Sequence, residues 1–307
     1  MGVRTTVGSV AMLVLLAGPS AYAATPAAAP SPTPPPGRIL FSRWDDDLGD
    51  FQAFAVNSDG SGESLLVPGA HEIPHWSPDG ASVSTTAISP DGRVLPAIIG
   101  ADGSGYRELP IEAPLNLGCP VWSPDGQQLL CEGWVDADPQ EAGLRRINAA
   151  DGSSVTRLTS EHDVPGGTSP DGRTIAFVRI VDEKMEGGEL WLAQADGSHQ
   201  TRLSDRTVGL QVSWSPDGTR ILADGTDGSL FTVDVADGTI TPIPTPAGSV
   251  AYEADWSPDG TWLAFSMHVN GEPTSDVYAM RLDGSGLIQL TDTPGVKDES
   301  PDWTAAH

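Results

Sequence analysis

The chain has 307 residues and carries 42 acidic against 16 basic side chains, a formal net charge of -26 at pH 7. That balance excludes a nucleic-acid partner, because phosphate backbones are gripped by clustered lysine and arginine. It points only weakly to a cationic partner, since 14 of the 42 acids are aspartates in Asp-Gly pairs, where turn chemistry already accounts for them.

In chain order, residues 1–23 read as a secretory signal peptide. Arg4 is their only charge, an apolar run follows at 7–18, and Ala-Tyr-Ala at 21–23 fits a cleavage site near Ala23. The run is too short to span a bilayer, which needs about 20 apolar residues, and no cysteine follows it for a lipid anchor. Residues 24–37, rich in proline and alanine, read as an extended tether. The expected product is secreted, extracellular or in the periplasm and cell envelope, with no transmembrane segment in the mature chain.

From residue 38 onward the chain repeats itself. S-P-D-G begins at Ser77, Ser89, Ser123, Ser169, Ser215 and Ser257; without the copy at Ser89 the steps are 46, 46, 46 and 42 residues. A second marker, D-G followed by Ser or Thr, interleaves at Asp59, Asp102, Asp151, Asp196, Asp237 and Asp283. In S-P-D-G the proline presets φ, the aspartate tolerates the next position, and the glycine takes the left-handed conformation that closes a hairpin. The segments between are strand-like, for example 174–180 (TIAFVRI), 189–194 (ELWLAQ) and 262–267 (WLAFSM), and no stretch keeps a helical period. Two turn signals in a period of about 40–50 residues predict propeller blades of four strands. The copy at Ser89 is expected to join two strands inside one blade.

Each unit begins with an inner strand ending at Trp76, Trp122, Thr168, Trp214 or Trp256. The tail ESPDWTAAH at 299–307 resembles a damaged S-P-D-G, but aligned on Trp303 it matches the inner strand at 72–77. At the other end, 38–44, 51–56 and 63–67 are three strands with no inner strand before them. Joining the two ends completes a sixth blade and closes the ring, which removes exposed sheet edges. The expected fold is all-β: a six-bladed propeller over residues 38–307, with no room for a second domain.

The pattern WSPDG, IAF, LW, ADGS, RLT resembles the TolB-like, WD40-like (PD40) propeller repeat, which also occurs in propellers attached to prolyl-oligopeptidase-type peptidases. The resemblance implies the fold and says less about function. TolB carries an α/β domain before its propeller where this chain has the proline-rich tether, so a Tol–Pal role does not transfer. The peptidase relatives carry a hydrolase domain after theirs, whereas here only Thr304 to His307 follow Trp303, and a G-x-S-x-G nucleophile elbow is absent.

Candidate chemistry gathers where loops lead into the inner strands. These loops carry His71, Glu72, His75, His162, Asp163, Tyr252, Glu253, Asp255, Asp298, Glu299 and Asp302. Of these, His71, Glu72, His162, Asp163, Glu253, Asp298 and Glu299 are taken as ligand-binding candidates at a channel mouth. They could capture a basic peptide, form a solvated acidic rim, or hold a divalent cation for hydrolysis or elimination. None has a diagnostic metal-ligand spacing. The acidic loop at 44–50 lacks an EF-hand pattern, and the repeated tryptophans are expected in the core. Cys119 and Cys131, the only cysteines, flank the turn at 123–126, and a disulfide between them is expected in a secreted hairpin. The favoured reading is a monomeric, non-catalytic module that binds a protein or peptide; a metal-dependent hydrolase or lyase is the alternative.

Overall fold

The S-P-D-G turns fold alike, and their hydrogen bonds show why the sequence repeats. In the first, Gly80 N–H donates to Ser77 O (2.8 Å), Ser77 Oγ donates to Asp79 Oδ1 (2.6 Å), and Ser82 N–H donates back to Ser77 Oγ (2.9 Å). The same glycine-to-serine bond recurs at Gly126, Gly172, Gly218 and Gly260. Gly80 sits at φ 64°, where a side chain is strained. The additional copy at Ser89 joins Ser82–Ile88 to Val94–Gly100 inside one blade, as expected.

This computed structural model describes residues 33–67, 69, 73–181, 187–269, 272 and 274–305. The expected signal peptide, most of the tether, His71 and Glu72 lie outside the described residues. Among the described residues 24 strands form six antiparallel four-stranded sheets. The inner strands are Asp298–Ala305 in blade 1, His75–Trp76 in blade 2, Asn116–Trp122 in blade 3, Asp163–Thr168 in blade 4, Val212–Trp214 in blade 5 and Ser249–Trp256 in blade 6. Each touches the next, and the last touches the first, so the ring is closed.

Closure follows the register expected from Trp303. Gly37–Asp45 pairs with Asp298–Ala305, Ile39 opposite Trp303 and Arg43 opposite Asp298. The apolar core lies between blades. Ile39, Phe41 and Trp303 of blade 1 pack on Trp262, Ala264 and Val277 of blade 6, while Leu40, Ala53 and Leu66 pack on Trp76, Val83 and Ile99 of blade 2. The C-terminal strand enters the core between blades 1 and 6 through Trp303 and is joined to blade 2 by the hydrogen bond from Trp76 N to Asp302. Truncating one such tryptophan to alanine costs about 3–5 kcal/mol.

One expectation is corrected. No disulfide joins Cys119 and Cys131. A β-bulge interrupts the hairpin: Gly118 faces Glu132 and Val121 faces Leu130, so Cys119 and Pro120 together oppose Cys131. Cys119, at φ 47°, lines the central channel, whereas Cys131 is buried in the blade 3 core beside Leu117 and Leu129.

Candidate functional site: the central channel

The repeat tryptophans tie neighbouring inner strands together. The indole N–H of Trp122 donates to His75 O (3.2 Å), that of Trp214 to Gly167 O (3.2 Å) and that of Trp256 to Ser213 O (3.3 Å). Each acceptor is the residue just before the repeat position in the preceding blade. In blades 6 and 1 that residue is Asp255 or Asp302, and the bond changes. The Asp255 carboxylate accepts from Trp303 N (2.8 Å) and the Asp302 carboxylate from Trp76 N (2.7 Å). The indole N–H groups of Trp76 and Trp303 are then buried without an acceptor. Two carboxylates have replaced two indole bonds, which costs satisfied donors and places acids on the channel wall.

Burial, and then the charge of Asp302, raise the Asp255 carboxyl to about 7. Its oxygens accept from Ser213 Oγ (2.5 Å) and Trp303 N. Asp302 also lies 3.3 Å from His75 Nδ1. Above this pair, Glu253 accepts from Ser300 N (2.9 Å) and Ser300 Oγ (3.0 Å), and Gln211 donates to that hydroxyl (2.9 Å). Burial and the neighbouring Glu299 and Asp224 charges push Glu253 up to about 7, and burial lifts Asp224 to about 6. Cys119, Glu253 and Ser300, each three residues before its repeat position, have φ of 47°, 50° and 57° at bulges in the inner strands. Such conformations are uncommon for residues other than glycine and redirect side chains out of the strand pattern.

Two cavities occupy the channel. At the S-P-D-G end a mouth of about 570 Å³ takes residues from all six blades, among them Trp122, Trp214 and the turn prolines Pro78, Pro124, Pro170, Pro216 and Pro258. Behind it lies a cavity of about 90 Å³. Val121, Gly166, Ser213, Asp255 and Asp302 line both, so the two adjoin. The turn aspartates Asp79, Asp125, Asp171, Asp217 and Asp259 are exposed beside the prolines. Hydrogen bonds from Ser215 and Thr219 hold Asp217 down to about 2, so it is ionised at neutral pH.

The described ligand-binding candidates, His162, Asp163, Glu253, Asp298 and Glu299, lie toward the opposite end and divide into two groups. Asp163 and Asp298 are fully buried beneath arginines: Arg179 Nε lies 2.8 Å from Asp163, and Arg43 Nε lies 2.6 Å from Asp298. Arg43 also covers Phe54, and Arg179 covers Trp191, so these acids anchor structural ion pairs. His162 bonds Glu132 (2.8 Å), which raises its pKa. Glu299 accepts from Tyr252 OH (2.8 Å), and burial followed by that carboxylate's charge raises the tyrosine pKa. Glu253 and Glu299 share the blade 6–blade 1 side of the channel, while Asp163 and His162 sit in blade 4. Among the described residues no group of three or more His, Cys, Asp or Glu side chains could hold a metal ion. The wide S-P-D-G mouth was missed; its signal was Thr168, standing where the repeat places tryptophan.

Fold and channel together define a six-bladed β-propeller whose fold is similar to that of TolB propellers. No protein-family model matches the chain. It is similar to the Tol-Pal system protein TolB of Anaeromyxobacter dehalogenans, 30% identical over 166 residues, covering 52% of this chain and 37% of that protein. It is also similar to an uncharacterised protein of Agrobacterium fabrum, 27% identical over 195 residues, covering 59% of this chain and 60% of that one. The chain thus spans less than two thirds of the length of either relative. Among solved structures, TolB from Acinetobacter baumannii matches with a TM-score of 0.70 at 17% identity, over 88% of this chain and 67% of that chain, a likeness of fold. Among the described residues no helix is long and apolar enough to cross a membrane.

Proposed function

We propose that the chain is an exported, non-catalytic binding module of the cell envelope that holds a protein or peptide partner at the mouth of its channel. The observation that carries this reading is the S-P-D-G mouth: about 570 Å³, walled by tryptophan and proline and edged by exposed turn aspartates. An apolar hollow with a polar charged rim is the anatomy of a recognition surface. Its acidity selects a partner segment of basic character. The charged, then apolar, then small-residue order of residues 1–23 supports export, and the Tol-Pal system relatives support an envelope setting.

The test is affinity capture by the mature chain from the envelope fraction of the cell that makes it, competed with excess soluble chain. The reading predicts one saturable protein partner whose binding weakens with salt. Capture of nothing saturable, together with turnover of a peptide or polysaccharide by the purified chain, contradicts it.

A further inference from the structure

Building on the reading of the chain as a protein-binding module, we infer that its S-P-D-G mouth and the channel behind it form a receptor for one cationic side chain, an arginine or lysine presented by the partner. The mouth narrows into a cavity with room for the end of one side chain rather than a folded element. Asp255 and Asp302 line the wall where the two cavities meet.

The ring is asymmetric in the way such a receptor requires. In a closed ring of six, blade 4 stands across from blade 1. Blade 4 lacks the repeat tryptophan and presents Gly166, Gly167 and Thr168 there. Blades 1 and 6 present Asp302 and Asp255 at the equivalent turn of the wall. Small residues of blade 4 therefore stand across the channel from the Asp302 carboxylate. Trp122 and Trp214, on the blades flanking blade 4, are half-buried at the mouth. Their rings suit the methylene stem and flat face of an arginine passing between them.

The carboxylates have capacity left for a cation. Asp302 Oδ2 accepts from Trp76 N and its Oδ1 faces the His75 ring, while Asp255 accepts from Trp303 N, Ser213 Oγ and the Trp256 backbone. A carboxylate offers about four acceptor sites, so lone pairs remain on both. The described ion pairs join no arginine or lysine to either acid; the His75 ring is the basic group beside Asp302. Burial, and then the charge of Asp302, raise the Asp255 carboxyl, and an incoming guanidinium displaces its proton. Among the described residues no group of three His, Cys, Asp or Glu side chains could hold a metal ion, so the pair suits an organic cation better. The net charge of -26 and the turn aspartates draw such a side chain toward the mouth.

The test is calorimetric titration of the mature chain with the capped tripeptide acetyl-Pro-Arg-Gly-amide and with its citrulline counterpart, which keeps the shape and lacks the charge. The arginine peptide is expected to bind saturably at one site and to release protons near pH 6.5; the citrulline peptide is expected to bind at least about tenfold more weakly. Asp302→Asn should weaken the arginine peptide by a similar factor. Thr168→Trp, which restores the repeat residue and leaves both acids in place, should abolish binding. If Asp302→Asn does not fold, Thr168→Trp decides. Equal affinity for the two peptides, unchanged affinity in Thr168→Trp, or no saturable binding overturns the inference. A partner captured by a chain that ignores the arginine peptide ends this inference and leaves the module reading standing; arginine binding without a partner does the reverse.

Discussion

The Asp255 carboxylate accepts the backbone N–H of Trp303 at 2.8 Å, joining the last blade to the strand that closes the ring. Two more contacts run alongside it between the same strands: Glu253 to Ser300 N (2.9 Å) and Tyr252 OH to Glu299 (2.8 Å). The closing strand is thus held on one side by the backbone ladder to Gly37–Asp45 and on the other by side chains of Ser249–Trp256.

Removal of that strand should undo the fold. Truncation after Lys297 strips Trp303 from the core between blades 1 and 6 and leaves Gly37–Asp45 as an open edge. Burial of Trp303 alone is worth about 3–5 kcal/mol, against a total stability of about 5–15 kcal/mol for a typical domain. Thermal melting followed by tryptophan fluorescence should show no cooperative transition in the truncated chain. A melt like that of the intact chain contradicts ring closure.

Stability should fall as pH rises from 5 to 8. Glu253 and Asp255 titrate in the folded chain at about 7 and Asp224 at about 6, while unfolded carboxylates titrate near 4. Between those values the folded chain binds more protons than the unfolded one, so the slope of stability with pH is negative. Their contribution is complete below about pH 4 and is lost as pH passes through 6 to 7. His162, raised by Glu132, acts in the same direction. Turn aspartates such as Asp217, held at about 2, act oppositely, but only at acid pH. The urea midpoint at pH 5, 6, 7 and 8 checks this, and Asp255→Asn should flatten the slope. A midpoint that rises over this range contradicts the assignment.

The two arginine anchors should be equivalent. Arg43→Ala leaves Asp298 buried and uncompensated, and Arg179→Ala does the same to Asp163. Breaking a buried pair from one side costs about 3–5 kcal/mol. Arg173→Ala, whose pair with Asp171 is exposed, should cost less than about 1 kcal/mol. Urea unfolding of the three variants at one pH gives the comparison. Equal small losses in all three contradict the structural role given to Asp163 and Asp298.

Much of the fold was legible because it is written in turn chemistry and repetition. The Ser77 and Ser257 turns announce their conformation through Pro, Asp and Gly, and Trp303 falls in register with Trp76. The site was far less legible. Nothing local marks Cys119, Glu253 or Ser300 as left-handed, since none is a glycine, yet those bulges decide which side chains enter the channel. The burial of Asp163 under Arg179 needs two strands in register, and in the sequence Asp163 looks like any other acid in a polar loop. Thr168 stood out as an exception to the repeat, but its consequence emerges only when blade 4 stands across a closed ring from Asp302 of blade 1.

The central claim, that this propeller binds a protein through the S-P-D-G mouth, is tested most directly by site-specific photo-crosslinking in the cell that makes it. A crosslinking residue at Gln127, exposed beside the blade 3 turn, should join the chain to one protein partner. The same residue at Leu48, exposed on a loop at the opposite face, should not. Crosslinks from Leu48 and none from Gln127 contradict the account.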